Sequence, residues 1–253
     1  MPPRRLRART GAPGIREFLE GGRQAADELA AALERTDLSL ARAGSVLDFG
    51  CGSARVLPHI AALSPSALCA GCDVDSSAIA WARRHRPQLQ WSVSRFEPPL
   101  PFAEESFDLV YSISVFSHLD EPLQDRWLAE MRRILRPGAV ALLSVHGRYA
   151  FEQFRTGRVR TAWCRTAAFD RPPLSASELA FEPYRRSVFN NADLQGVGNQ
   201  YGLAFHGSDY LRARWSTAAL DVVAILERAM TGWQDIVVCR RPLAHRSGGT
   251  SFD

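Results

Sequence analysis

The chain contains no lysine: all 31 of its basic residues are arginine. That pattern reads as the codon bias of a GC-rich genome and carries no functional meaning. Long apolar runs are missing too. None approaches the roughly 20 residues a membrane helix needs, so a membrane-spanning protein is excluded. No internal repeat is visible. Cysteine is sparse, with five scattered residues. Cys69 and Cys72 have redox-motif spacing, but they lie in an apolar stretch that reads as a strand. With no second pair and no histidine at zinc spacing, redox and metal chemistry are set aside and no metal is expected. A reduced, cytoplasmic protein is the expectation.

A large one-signed charge is also absent. The net charge is +4, and Arg4, Arg5, Arg7 and Arg9 account for all of it. The remaining body is neutral, which argues against a nucleic-acid substrate despite a pI near 9.0. The basic start has no apolar segment of the secretory type. Residues 1–14 are therefore read as a disordered basic leader. What is present is ordinary globular composition, 46% hydrophobic and 23% charged over 253 residues.

Apolar spacing predicts helix over 15–35, through Phe18, Ala25, Leu29 and Leu33, split by Gly21-Gly22. Strands follow at 45–49, 67–72, 89–93, 107–112 and 139–145. Between them fall a helix from Ser53 to Leu63, one capped at Ser76 and ending by His85, and one from Glu121 to Leu135 ended by Arg136-Pro-Gly. Five strands with helices before the first and between most of the others imply a doubly wound α/β fold, with ligands at the carboxyl ends of the strands. Residues 148–206 then change character, holding ten of the chain's 24 aromatics and eight arginines. They obey no simple period, although 175–186 can be read as helix. A helix opened by Ser208 and a strand pair at 219–226 and 235–239 end the fold, and the tail from 244 reads as loose. The expected division is a leader (1–14), a core with amino-terminal helices (15–147), an inserted lid (148–206), the end of the core (207–243) and a tail (244–253).

The informative stretch is Val46-Leu-Asp48-Phe-Gly50-Cys51-Gly52-Ser-Ala54-Arg55. A strand runs into a glycine turn that opens a helix, and the two glycines let a ligand approach the backbone. A dinucleotide fingerprint would need glycine where Arg55 stands. Asp48-x-Gly50-x-Gly52-x-Ala54 instead resembles motif I of the class I S-adenosylmethionine (SAM)-dependent methyltransferases, of the type 11 and type 25 small-molecule kind. Gly71-Cys-Asp73-Val74-Asp75, Pro99-Leu-Pro-Phe102, Ser106-Phe-Asp-Leu-Val110 and Arg136-Pro-Gly138 resemble the family's later signatures, in order, over about residues 44–146.

The resemblance implies a mostly parallel seven-stranded sheet of order 3-2-1-4-5-7-6 whose last strand is antiparallel. It implies SAM as cofactor, with Asp48, Gly50, Cys51 and Gly52 in the loop and Asp73 on the ribose hydroxyls. Val74 falls beside the nucleoside, and Ser112 and Ile113 beside the methionyl part. Asp75 reads as a helix cap. Where the family often has an acid for the adenine amine, this chain has Phe96, which can stack on the base instead.

Transfer of the sulfonium methyl needs alignment and, for an O–H or N–H acceptor, a base. His118, just past the fourth strand, and His146, at the end of the fifth, have a pKa suited to that task. His206 and Tyr201 close the aromatic insert, which is expected to enclose the acceptor. The resulting reading is a SAM-dependent methyltransferase acting on an O, N or C atom of a small molecule, in secondary or sugar metabolism. The expected partners are a small-molecule substrate and, compatibly, a second copy in a homodimer, with no nucleic acid and no membrane. Two alternatives stay open. One is non-methyl SAM chemistry, such as cyclisation to azetidine-2-carboxylate with release of methylthioadenosine. The other is a non-catalytic SAM- or nucleoside-binding subunit.

Overall fold

The computed structural model describes residues 1–161, 164, 170–185, 198–218 and 220–243. Nine strands appear among them: β1 (Ser45–Phe49), β2 (Leu68–Asp73), β3 (Gln90–Val93), β4 (Phe107–Ser112), β5 (Leu135–Val145), β6 (Leu179–Pro183), β7 (Gly202–His206), β8 (Asp221–Met230) and β9 (Gln234–Arg240). Seven helices accompany them: α1 (Arg4–Arg9), α2 (Ile15–Leu33), α3 (Leu57–Leu63), α4 (Ser76–His85), α5 (Glu121–Ile134), α6 (Arg148–Arg155) and α7 (Ser208–Ala218). Among the described residues no helix is long and apolar enough to cross a membrane.

The main sheet has the order β3-β2-β1-β4-β5-β9-β8. Strands β1 to β5 pair in parallel, and β9 runs antiparallel between β5 and β8. This is the expected order, its last two strands renumbered because the insert contributes β6 and β7. The inner strands are buried on both faces, which is why β1 (Ser-Val-Leu-Asp-Phe) does not alternate. One face packs on α5 and α7 through Leu123, Trp127, Met131 and Trp215. The other packs on α2, α3 and α4 through Ala25, Leu29, Leu57, Ile60 and Ile79.

Several local expectations are corrected. Gly21-Gly22 does not split the first helix; α2 is continuous over 19 residues. The glycines serve a close approach: a Cβ on Gly22 would strike the Arg55 carbonyl, and one on Gly21 would stand 3.2 Å from the Arg55 guanidinium. The next helix starts at Leu57 rather than Ser53, because Gly50, Gly52 and Ala54 all have positive φ and hold 50–56 as a turn. Asp75, not Ser76, caps α4, accepting the amides of Ser77 and Ala78. Arg136-Pro-Gly138 lies inside β5. Residues 179–183 are strand rather than helix: β6 pairs antiparallel with β7 in a separate two-stranded sheet. The segment read as a loose tail, 244–253, lies outside the described residues.

The leader is also corrected. Residues 4–9 are helical, and Leu6 and Arg7 are buried. The Arg7 guanidinium donates to the carbonyls of Pro2 and Pro13, at 2.5 and 3.0 Å. Read only as charge, Arg7 looks solvated; in the fold its donors staple the segment's two ends together.

Candidate functional site

The site begins where β1 and β2 end side by side. The amides of Gly50 and Cys51 both donate to the Cys72 carbonyl, at 2.9 and 3.1 Å, so the glycine turn hangs from the tip of β2. Gly50 and Gly52 have φ of +81° and +52°. Val115 packs so closely on Gly50 that a Cβ there would overlap it. Asp73 follows directly. Its carboxylate accepts the Gly52 amide at 2.7 Å and the Asp75 amide at 2.8 Å, which binds the acid to the turn.

Asp48 is buried at the end of β1. Burial pushes its carboxyl up to about 7. The Tyr111 phenol beside it, outside normal hydrogen-bond geometry, and the Arg55 guanidinium oppose that shift, while Asp73 adds to it. Cys51 is buried as well, and burial raises its thiol well above the ordinary range, so it is a packing residue of the turn and no nucleophile. Ser112 ends β4 with its hydroxyl buried and without a partner, and Ser53 is in the same condition. Ile113 packs at the margin of the α2-side core, and Val74 is half-buried beside Asp73. Phe96 meets Tyr201 edge-on, with ring centroids 6.2 Å apart.

Tyr201 joins this end of the site to a second one. Its hydroxyl is pushed up to about 12, by burial first and then by the charge of Asp73. Its ring is 5.5 Å from His118 and 5.4 Å from Tyr184. His118, His146 and His206 gather here as the sequence anticipates. The His118 and His146 rings are 5.6 Å apart, and the His206 amide donates to the His146 carbonyl at 2.8 Å. Burial lowers the pKa of all three, His206 to about 3, so each is neutral near pH 7.

Partners decide the tautomers of two of them. The His118 Nδ1 is 2.9 Å from the Gly202 carbonyl and 2.8 Å from the Tyr184 hydroxyl. A carbonyl can only accept, so Nδ1 carries the proton and Nε2 keeps its lone pair. Gln124 donates its amide NH2 to the Leu119 carbonyl at 2.8 Å, which turns its oxygen toward His206 Nε2 at 3.0 Å. His206 Nε2 therefore carries the proton, and its Nδ1 is a buried bare acceptor without a partner. The His146 Nδ1 is also buried and unpartnered.

These contacts fasten the insert to the core. β7 reaches the turn at 116–118 through His118 and Gly202, and the Asp120 backbone amide donates to the Gln200 carbonyl at 3.0 Å. Beneath the β6–β7 sheet, Phe151, Leu174, Tyr184, Leu203 and Phe205 form a core of their own. At its far rim Gly147 makes room for the Asp235 carboxylate, which accepts the Arg228 amide at 2.8 Å and is pushed up to about 6 by burial. Tyr184, Gln124 and Asp235 were not anticipated. Tyr184 sits in an aperiodic stretch, and Gln124 looks like any polar residue on an amphipathic helix. Only Gly147, directly after His146, hints at a close neighbour.

Residues 46–138 match the methyltransferase-domain family. The chain is 29% identical over 180 residues to a probable S-adenosylmethionine-dependent methyltransferase of Mycolicibacterium smegmatis, a match covering 70% of this chain and 65% of that protein. The chain thus spans just under two thirds of the relative's length. Two solved structures share the fold. The PH0226 protein of Pyrococcus horikoshii superposes with a TM-score of 0.62 at 14% identity, over 92% of this chain and 98% of that one. The 1,6-didemethyltoxoflavin-N1-methyltransferase of Burkholderia thailandensis, solved with 1,6-didemethyltoxoflavin and S-adenosylhomocysteine, gives 0.54 at 15% identity, over 88% and 78%.

Proposed function

We propose that residues 46–138, which match the methyltransferase-domain family, form a class I SAM-dependent methyltransferase domain, and that the chain methylates a small molecule held against His118 at the edge of the β6–β7 sheet, with His118 as base. The observation that carries this reading is Tyr201, whose ring lies 5.5 Å from His118 and meets Phe96 edge-on at 6.2 Å, so one residue faces both ends of the site. The site's residues fit the cofactor. Asp73 offers a carboxylate to a ribose diol. The glycine turn allows close approach. The unpartnered Ser112 hydroxyl is a buried polar group suited to a ligand atom. Val74 and Phe96 flank the base, Ile113 the methionyl chain.

Bound SAM supplies an electrophilic methyl on a good neutral leaving group. The protein's part is to place the acceptor, exclude water and receive a proton. His118 suits the last task because its Nδ1–H is fixed on Gly202 and its neutral Nε2 is a free acceptor. The aromatic roof of Tyr184, Tyr201 and Phe205 excludes water over the same point. His146 and His206, both neutral, offer hydrogen-bond acceptors without adding charge. An uncharged cluster favours a neutral small acceptor over a phosphate backbone, and the small-molecule substrate of the B. thailandensis structure supports that class. All five cysteines are free and buried, which supports a cytoplasmic setting.

The test is product analysis. The protein is incubated with SAM and a panel of uncharged hydroxylated and amine compounds, and the nucleoside released is identified. S-adenosylhomocysteine formed only with an acceptor supports methyl transfer. Methylthioadenosine formed without one identifies SAM cyclisation instead. SAM binding with no turnover across the panel favours a binding subunit.

A further inference from the structure

Two residues of the amino-terminal segment straddle Asp73. The Asp73 carboxylate accepts the amides of Gly52 and Asp75, and the segment rests on those same two residues. The Thr10 methyl lies 2.7 Å from where a Cβ on Gly52 would stand, so it covers that glycine. Arg9 forms an ion pair with Asp75. Asp75 is itself fixed by capping α4, so Arg9 has a stationary partner. The segment is held in shape from within. Leu6 is buried, the Arg7 guanidinium clasps the carbonyls of Pro2 and Pro13, and the Thr10 hydroxyl donates to the Arg7 carbonyl at 2.8 Å.

From this placement we propose that residues 6–13 form a wall of the cofactor site on its nucleoside side, with Arg9 and Thr10 as binding residues that keep the wall closed. The proposal rests on the SAM reading above and adds residues that lie outside the matched domain. Its chemistry suits a nucleoside. The Thr10 methyl displaces water from the glycine turn where a sugar approaches. Arg9 offsets the charge of Asp75, two residues after Asp73. A bound nucleoside then leaves only when the wall opens, and opening breaks the Arg9–Asp75 pair.

The experiment is a rapid-chase measurement of SAM and S-adenosylhomocysteine dissociation from the full chain. The variants are Arg9→Ala, Thr10→Ser, which deletes only the methyl, and Arg4→Ala, an exposed control on the same helix. Arg9→Ala should speed dissociation roughly three- to fivefold, the scale of a half-exposed ion pair, and Thr10→Ser about twofold. Both nucleosides should respond alike, since the wall contacts the part they share, and Arg4→Ala should match the wild type. Hydrogen exchange at the amides of residues 10–12 and of Gly14 should slow when S-adenosylhomocysteine binds. Wild-type rates in both variants, with unchanged exchange, overturn the proposal while leaving the SAM reading intact. A wild-type chain that binds neither nucleoside overturns that reading and this one with it.

Discussion

The carboxylate of Asp73 holds the amide of Gly52 at 2.7 Å, joining the end of β2 to the turn that follows β1. The acid and the glycine turn are thereby organised before any ligand arrives, and binding need not order them. The Tyr201 ring lies 5.5 Å from His118 and 6.2 Å from Phe96, so one residue of the insert faces both the proposed base and the proposed cofactor end.

His118→Gln should lower kcat about 100- to 10,000-fold, the usual contribution of a general base, with SAM affinity within about twofold of wild type. Tyr184→Phe should cost less than about tenfold, because the Gly202 carbonyl alone keeps the proton on Nδ1. Steady-state kinetics with the identified acceptor, alongside calorimetric SAM titration, separate the two. Equal losses in both variants would assign catalysis to the Tyr184 hydroxyl.

His206 makes stability depend on pH. Its folded pKa, about 3, lies below the ordinary 6.5, so the unfolded chain binds the proton first as pH falls. Its contribution is fully present above about 6.5 and is lost progressively down to about 3. Asp48 and Asp235, raised to about 7 and 6, act in the opposite sense. The comparison must therefore be between wild type and His206→Gln. Moving from pH 7.5 to 5, wild type should lose about 2 kcal/mol relative to the variant in urea unfolding. Parallel pH curves would show that the fold leaves the His206 pKa at its ordinary value.

Gly147→Ala should destabilise by about 1–3 kcal/mol, because the new methyl meets the Asp235 carboxylate. In an Asp235→Ala background the same change should cost less than about 1 kcal/mol. Thermal unfolding of the four proteins closes the cycle, and additive effects would deny the contact.

The sheet was legible because its strands are local apolar runs and its glycine turn has a distinctive pattern. Asp73 is read from the family resemblance, in which the ribose acid directly follows the second strand, and Asp75 from its capping position. His118, His146, His206 and Tyr201 are proposed because each falls at a strand end or at the close of the insert, and the fold brings them together. What sequence could not supply were partners set by tertiary contact. Gln124 matters because His206, 82 residues away, faces its oxygen. Gly21-Gly22 read as a helix break because a glycine's effect depends on what approaches it, here Arg55. β6 escaped because Leu179–Pro183 is strand only through its pairing with β7. The leader was misread because Arg7 looks solvated until the carbonyls that receive it are in place.

The most direct measurement is calorimetric titration of SAM into the full chain and into Asp73→Ala, with circular dichroism to show that both are folded. The account predicts one site per chain in the wild type, and affinity weakened by roughly 2–4 kcal/mol, or about 30- to 1,000-fold, in the variant. Equal affinity in the two folded proteins, or no binding to the wild type, would contradict it.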